Sequence, residues 1–136
     1  MKIALIDLGS NSARMYLTEV TETGEIRYLE KERVMTRLSE GMGEDKRLQP
    51  LPMERTCNVL RTFSEKIRES GAMPLAVATA AVRKAKNGGD FCRRVFRETG
   101  LNLYVISGQQ EAFFDFQGVL FGLKAVDNCL IFDTGG

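Results

Sequence analysis

The chain has 136 residues, of which 43% are hydrophobic and 27% are charged, and its formal net charge is only +1. This composition is typical of one folded globular domain, and the near-zero charge gives no general attraction to DNA or to a membrane surface. Because the chain contains no histidine, it cannot by itself form a Ser-His-Asp or Cys-His catalytic site or a histidine metal site.

The first part of the chain predicts three strands in an antiparallel meander. Residues 3–6 are a run of four apolar residues, which indicates a buried strand that ends at Asp7. Apolar and polar residues alternate in residues 13–20 and again in residues 25–32, with a glycine turn between the two runs. Residues 34–51 contain glycine, proline and many charges, and they predict a loop that can include a short helix.

The rest of the chain alternates helices with strands. Apolar residues at spacings of three and four predict a helix that ends at Gly71. This apolar stripe consists of Met53, Cys57, Leu60, Phe63 and Ile67. The elements predicted after it are strands at residues 75–79 and 103–106 and helices at residues 87–99 and 109–123. The order βββαβαβα predicts an α/β fold in which a mixed five-stranded sheet carries helices on both faces.

The segment after the first strand has the residues of a metal-phosphate site. Gly9 allows a tight turn whose backbone N–H groups can bind an anion. The next three side chains can add donors, and they are Ser10, Asn11 and Ser12. Asp7, just before the turn, can hold a hydrated Mg²⁺. The same residues are also typical of an ordinary hairpin turn.

The same pattern recurs near the other end of the chain. Residues 129–132 form an apolar strand, and Asp133, Gly135 and Gly136 follow it. Two matching loops suggest a duplicated half-unit around one ligand, and this favours phosphate binding at both. The two loops resemble those of the actin-like ATPase superfamily, and the element order is similar to its ribonuclease H-like lobe. We therefore expect that lobe in residues 1–124, and the first strand and phosphate loop of a truncated second lobe in residues 125–136.

The start of the last predicted helix carries a candidate general base. Ser107 and Gln110 fit a capping box, which does not need Glu111. Glu111 is thus left in the first helical turn, where the positive helix end favours the ionised carboxylate. Such a carboxylate beside a phosphate loop can activate an attacking water. The local pattern alone favours the plainer interpretation, a solvent-facing acid in a first helical turn.

Residues 79–97 are locally basic, with six basic residues against one acid. Arg93, Arg94 and Arg97 are typical of a solvated helix face, and a track for a polyanion is the functional alternative. Arg83 differs from them because it follows the end of a strand, where α/β sheets place ligand contacts.

Six short segments spread over nearly the whole chain recur in one known family. They are residues 6–12, 37–41, 78–83, 87–88, 106–112 and 133–136. In this ordered set the chain resembles the N-terminal domain of the exopolyphosphatase/guanosine pentaphosphate phosphohydrolase (Ppx/GppA) family. The resemblance implies that Glu111 is the catalytic base and that Arg83 binds phosphate. It also implies that both loops bind phosphate and Mg²⁺, the metal being held by Asp7 and Asp133.

The chain departs from the family pattern at three positions. Gln109 and Gln110 stand where acidic residues are usual, and Ser39 stands where glycine is usual. The glutamines lower the local negative charge and can alter metal binding or substrate preference. They leave Glu111 intact.

The resemblance implies a phosphoanhydride hydrolase that releases the terminal phosphate of inorganic polyphosphate or the 5′ γ-phosphate of guanosine pentaphosphate. We expect no DNA or membrane partner, a homodimer for the full-length protein, and little activity for this chain alone. Three scattered cysteines without metal-ligand spacing, Cys57, Cys92 and Cys129, indicate reduced thiols and a cytoplasmic protein. Two alternatives are a kinase or ATPase of the same superfamily, and a non-catalytic regulator that binds polyphosphate or an alarmone.

Overall fold

The computed structural model describes residues 1–122, which form one five-stranded sheet and four helices. The strands are β1 (Lys2–Leu8), β2 (Ser12–Val20), β3 (Ile26–Met35), β4 (Met73–Ala78) and β5 (Leu103–Val105). The helices are α1 (Pro50–Ser70), α2 (Ala80–Lys84), α3 (Gly88–Thr99) and α4 (Gly108–Gly122). The strand order is β3-β2-β1-β4-β5, so β1 lies at the centre. None of these four helices has the length and apolar character needed to cross a membrane.

The sheet is mixed, and its parallel part determines where the strand ends meet. β1 pairs antiparallel with β2 and parallel with β4, and β4 pairs parallel with β5. In this register Leu8 lies beside Ala78, and Ala78 lies beside Val105. The carboxyl ends of β1, β4 and β5 therefore share one edge of the sheet.

The hydrophobic core lies on one face of the sheet, with α1 and α3. Ala4, Ile6 and Leu8 alternate with half-buried residues along β1 and are fully buried. The predicted apolar stripe of α1 contributes buried side chains to the same core, and Phe91 and Val95 contribute from α3. Each large apolar side chain buried in this way stabilises the fold by about 1.5–3 kcal/mol. The stripe that predicted α1 is therefore confirmed as its core-facing surface.

The structure contains one helix that the sequence pattern does not reveal. α2 has only five residues, too few to show a helical period. The observed order is therefore βββαβααβα, and Arg83 lies on this short helix instead of in an irregular segment after the strand. Residues 36–49 form turns without the short helix that their composition permits.

α4 is rich in phenylalanine, yet none of its side chains is buried. Its exposed residues include Phe113, Phe114, Phe116 and Phe121. Several large apolar side chains exposed together normally mark a surface that another surface covers, and residues 1–122 provide no such cover for α4. The lobe boundary predicted after residue 124, the strand predicted at residues 129–132 and the second loop lie outside the described residues. That loop contains Asp133, Gly135 and Gly136.

Candidate active site

Three segments meet at the edge where β1, β4 and β5 end. Hydrogen bonds continue the parallel pairing beyond the strands, because Thr79 N donates to Leu8 O at 3.1 Å and Ile106 N donates to Ala78 O at 3.1 Å. The loop at residues 9–12, which we call the phosphate loop after its predicted role, thus neighbours the start of α2 and the start of α4. With β4 between them, β1 and β5 lie about 10 Å apart. The Gly9 loop and Glu111 therefore lie at the same edge of the sheet, where the central strand β1 ends.

The phosphate loop is a tight turn between β1 and β2. Gly9 N donates to Ser12 O at 3.0 Å, which closes the turn. Asn11 is exposed and Ser10 is half-buried, whereas Ser12 is buried as the first residue of β2. The loop therefore presents Ser10 and Asn11 at the surface, while Ser12 is largely covered.

Asp7 is half-buried at the end of β1 and lies near a basic side chain. The Asp7 side chain is 34% exposed, and its Oδ2 lies 3.6 Å from Nη1 of Arg14. Arg14 stands directly opposite Asp7 in the antiparallel register of β1 and β2. The sequence reasoning did not select Arg14 as a site residue. A correct register for the first hairpin would have revealed it.

Glu111 forms an ion pair with Arg83 across the gap between two strand ends. Arg83 Nη1 donates to Glu111 Oε2 at 3.1 Å and to Ile106 O at 2.7 Å. The two side chains are 27% and 29% exposed, respectively. A Cβ atom on Gly108 would lie 3.8 Å from Arg83 Nη2, so the guanidinium passes close to the turn between β5 and α4. Glu111 is therefore not a purely solvent-facing helix acid.

The capping box predicted at the start of α4 is confirmed. Ser107 Oγ accepts from Gln110 N at 3.1 Å, and Gln110 Oε1 accepts from Ser107 N at 2.9 Å. These two bonds satisfy backbone donors of the first turn without using Glu111. The Glu111 carboxylate is consequently left for its contact with Arg83.

A second loop that the sequence reasoning did not assign to the site is bound to the phosphate loop. Thr36 N and Arg37 N both donate to Asn11 O, at 3.0 and 2.9 Å. Ser39 N and Ser39 Oγ both donate to Ser10 O, at 3.1 and 3.3 Å. The resemblance marked this segment as a family motif but gave no role to its side chains.

Arg93 and Arg94 of α3 are engaged in ion pairs on the helix surface. Arg93 pairs with Asp90, and Arg94 pairs with Glu98 at 2.7 Å and also with Glu54 of α1. Arg97 is exposed. These pairs agree with the interpretation of the run as a solvated helix face, and they give Arg94 a structural role between α1 and α3.

Of the two carboxylates predicted to hold Mg²⁺, the structure describes one. Asp7 lies at the edge beside the phosphate loop, whereas Asp133 lies outside the described residues. Within residues 1–122 no group of three or more potential metal-ligating side chains is found. A single partly exposed carboxylate next to a turn predicted to bind phosphate fits Mg²⁺, which commonly uses one or two carboxylates together with water and phosphate oxygens. It does not fit a closed protein cage.

Comparisons with known proteins agree with this geometry. The model of the Ppx/GppA phosphatase family matches residues 18–136. A solved Ppx/GppA family member from Aquifex aeolicus is 34% identical over 92% of this chain and 41% of its own, with a TM-score of 0.84. An exopolyphosphatase from Cytophaga hutchinsonii is 26% identical over 88% of this chain and 38% of its own, also with a TM-score of 0.84.

The matched structures also bear on the fold and on the extent of the chain. They confirm the predicted fold class, the ribonuclease H-like lobe of the actin-like type built on a mixed five-stranded sheet. The chain spans about two-fifths of the length of these solved relatives.

Proposed function

The chain belongs to the Ppx/GppA phosphatase family, and from that membership we propose that it is the N-terminal lobe of a two-lobed phosphoanhydride hydrolase. The proposed substrates are inorganic polyphosphate, from which the terminal phosphate is released, and guanosine pentaphosphate, which loses its 5′ γ-phosphate. The family membership supports the hydrolase class, and the name of the Cytophaga relative supports polyphosphate.

One observation carries the proposal for this chain. Glu111 and Arg83 meet at 3.1 Å beside the edge that holds the Gly9 loop. A carboxylate fixed in this way next to an anion-binding turn is a suitable general base for a water molecule. Because Arg83 also donates to Ile106 O, it fixes the turn that carries Glu111 and acts as a positioning residue as well as a cation.

The reaction follows from these roles. Glu111 accepts a proton from water, and the water oxygen forms a bond to the terminal phosphorus. The bond between that phosphorus and the bridging oxygen breaks, and the shortened phosphate chain leaves with the bridging oxygen. Donors of Ser10, Asn11 and Ser12 stabilise the charge on the transferred phosphoryl group. Gly9, whose N–H closes the turn, lets the phosphate come close to the backbone.

The proposal includes Mg²⁺ and the second phosphate loop. Asp7 and Asp133 would hold the ion, and Gly135 and Gly136 would add phosphate donors from the other lobe. When bound, Mg²⁺ would neutralise charge on the phosphate oxygens. This assignment is supported by the partly exposed carboxylate of Asp7 beside the loop.

The exposed face of α4 supports the proposal that the chain is one lobe of a longer enzyme. Its phenylalanines need an apolar cover, and the solved relatives are more than twice as long as the matched region. We therefore propose that this chain alone has little hydrolase activity. A cytoplasmic location and a homodimeric full-length protein belong to the same proposal, and the free thiols of Cys57 and Cys92 agree with that location.

The test is turnover by the two-lobed protein with Mg²⁺. Polyphosphate and guanosine pentaphosphate are offered separately and then in competition, and phosphate release is measured. Release of phosphate without an alcohol acceptor supports the hydrolase. Phosphoryl transfer from ATP to an added alcohol, with no hydrolysis, would indicate a kinase. Tight binding of either compound without turnover would indicate a regulator.

A further inference from the structure

We propose that Arg37 binds a phosphate group next to the one that reacts, and so makes the site selective for chains of two or more phosphates. The inference rests on the proposed function and deepens it, because it concerns the substrate class of the same site. It comes from the loop at residues 36–40, which lies against the phosphate loop.

Hydrogen bonds to the phosphate loop and to α1 hold the backbone of this loop. Thr36 N and Arg37 N donate to the same carbonyl oxygen of the phosphate loop, that of Asn11, at 3.0 and 2.9 Å. Arg55 of α1 donates to Thr36 O at 2.6 Å and to Arg37 O at 3.4 Å. Arg55 also pairs with Glu40 at 2.6 Å. Arg37 is thus held with its backbone nitrogen 2.9 Å from the phosphate loop.

Arg37 adopts a backbone conformation that an arginine normally avoids. Its φ is +47°, in the left-handed region that favours glycine and asparagine. Beside it, the Thr36 hydroxyl is fully buried and has no hydrogen-bond partner within residues 1–122. Unfavourable backbone conformations and unpaired buried groups cluster at functional sites, where other requirements of the fold impose them. An unfavourable backbone conformation and an unpaired buried hydroxyl at adjacent residues point to a function at this position.

The charge of Arg37 is not used by the described fold. Three other arginines around this edge, Arg14, Arg55 and Arg83, form ion pairs with Asp7, Glu40 and Glu111, respectively. Arg37 is exposed, and the described part of the chain gives its side chain no ion pair or hydrogen bond. An exposed guanidinium anchored beside an anion-binding turn can bind a second phosphate, because it presents several donors in a fixed planar arrangement.

The ligand chemistry follows from the position. In this proposal the Gly9 loop and Arg83 bind the phosphate that reacts, and Arg37, whose backbone N lies 2.9 Å from Asn11 O, adds a second cationic side chain beside that loop. A substrate with a second, covalently linked phosphate can use both positions, whereas orthophosphate can use only one. Arg37 is therefore a binding residue that determines specificity and does not take part in the chemical step.

The test compares Arg37→Asn, Arg37→Lys and a control in the two-lobed protein. Asparagine tolerates the left-handed conformation, so Arg37→Asn should melt no lower than the wild type. The control is Arg97→Gln, which removes an exposed charge from α3 without affecting the edge. Affinities for tripolyphosphate and for inorganic orthophosphate are measured by calorimetry, and KM and kcat are measured with polyphosphate.

We expect Arg37→Asn to weaken tripolyphosphate binding and raise KM about tenfold, which is the effect of losing a hydrogen bond to a charged group. Its orthophosphate affinity and its kcat should stay within about twofold of the wild type, and Arg37→Lys should recover part of the loss, because an ammonium still attracts phosphate but lacks the planar fork. The control should match the wild type.

Three results would overturn the inference. They are unchanged tripolyphosphate binding in Arg37→Asn, an equal loss for orthophosphate and tripolyphosphate, and a wild type that binds no tripolyphosphate. A different result would refute the proposed function without affecting the Arg37 inference. A wild type that binds tripolyphosphate through Arg37 but releases no phosphate would refute hydrolysis and leave the Arg37 site standing.

Discussion

Arg83 and Glu111 lie 28 residues apart in the sequence and meet with Nη1 and Oε2 3.1 Å apart. The same Nη1 also donates to Ile106 O at 2.7 Å. One guanidinium therefore connects α2, which follows β4, with the turn between β5 and α4. The position of the candidate base depends on a cation from a neighbouring strand end.

The first prediction concerns the contacts that the Arg83 guanidinium makes with Glu111 and Ile106. In the two-lobed protein, Arg83→Lys should lower kcat by about tenfold or more. Lysine keeps the charge, but its nitrogen is one bond closer to the backbone than Arg83 Nη1, which makes both contacts, and it lacks the planar guanidinium. Steady-state kinetics with polyphosphate measure the effect, and Arg97→Lys on α3 is the control. If Arg83→Lys turns over like the wild type, positive charge alone is sufficient and the positioning role is wrong.

The second prediction concerns Asn87, which connects the residues just before α3 to the loop before α1. Its side chain accepts from Leu48 N at 2.9 Å and donates to Leu48 O at 3.0 Å, in a buried position. Asn87→Ala leaves these two backbone groups unpaired and should reduce the free energy of unfolding by about 1–3 kcal/mol. Urea unfolding measures this loss of stability, and Asn102→Ala, at an exposed position, is the control. Equal stability of the two variants would show that water replaces the Asn87 amide.

The third prediction concerns the start of α3. A Cβ atom added at Gly88 would lie 2.2 Å from Val82 O, whereas one added at Gly89 would lie 3.5 Å from Arg93 Nη1. Gly88→Ala should destabilise the fold by about 1–3 kcal/mol, because the backbone must shift. Gly89→Ala should be neutral or stabilise by up to about 1 kcal/mol, because alanine favours a helix. Thermal melting compares the two variants. A lower melting temperature for Gly89→Ala than for Gly88→Ala would refute the close approach of α2 and α3.

The fourth prediction concerns acid stability. Hydrogen bonding to Arg94, helped by Arg61, lowers the pKa of Glu98, while burial opposes the shift. Since the pKa of Glu98 is lower in the folded protein than in the unfolded chain, its ion pairs stabilise the fold above the unfolded pKa. That stabilisation is lost as the pH falls through the folded pKa.

Glu98→Gln tests this account of acid stability. The variant should be less stable than the wild type at pH 7, and the difference should shrink as the pH falls below about 4. Urea unfolding between pH 3 and pH 7 measures it, with Glu69→Gln as the control. A difference that stays constant over the whole range would show that the ionisation of Glu98 does not contribute.

Much of the fold could be predicted because periodicity is strong where one face is buried. The stripe from Met53 to Ile67 predicted α1, and the alternation in residues 13–20 predicted β2. α2 escaped prediction because five residues cannot show a period. The capping box fixed the start of α4 because its two side-chain bonds are local.

The site was predictable only in part, because its contacts join distant segments. Sequence motifs selected Glu111 and Arg83 separately, but their ion pair depends on the order of β4 and β5 in the sheet. Arg14 faces Asp7 only through the register of the first hairpin. Arg37 is in the left-handed conformation and forms backbone hydrogen bonds with the distant residues Asn11 and Arg55, which no local pattern reveals.

The most direct test of the account is the activity of Glu111→Gln in the two-lobed protein. The amide oxygen can still accept from Arg83, and the Ser107–Gln110 cap does not involve Glu111, so the variant should keep its fold and its polyphosphate affinity. It cannot accept a proton from water, so kcat should fall by about 10²–10⁴-fold. Glu44→Gln, in an exposed turn, should match the wild type. Near-normal turnover by Glu111→Gln would contradict the account, because Glu111 would then be only an ion-paired helix residue.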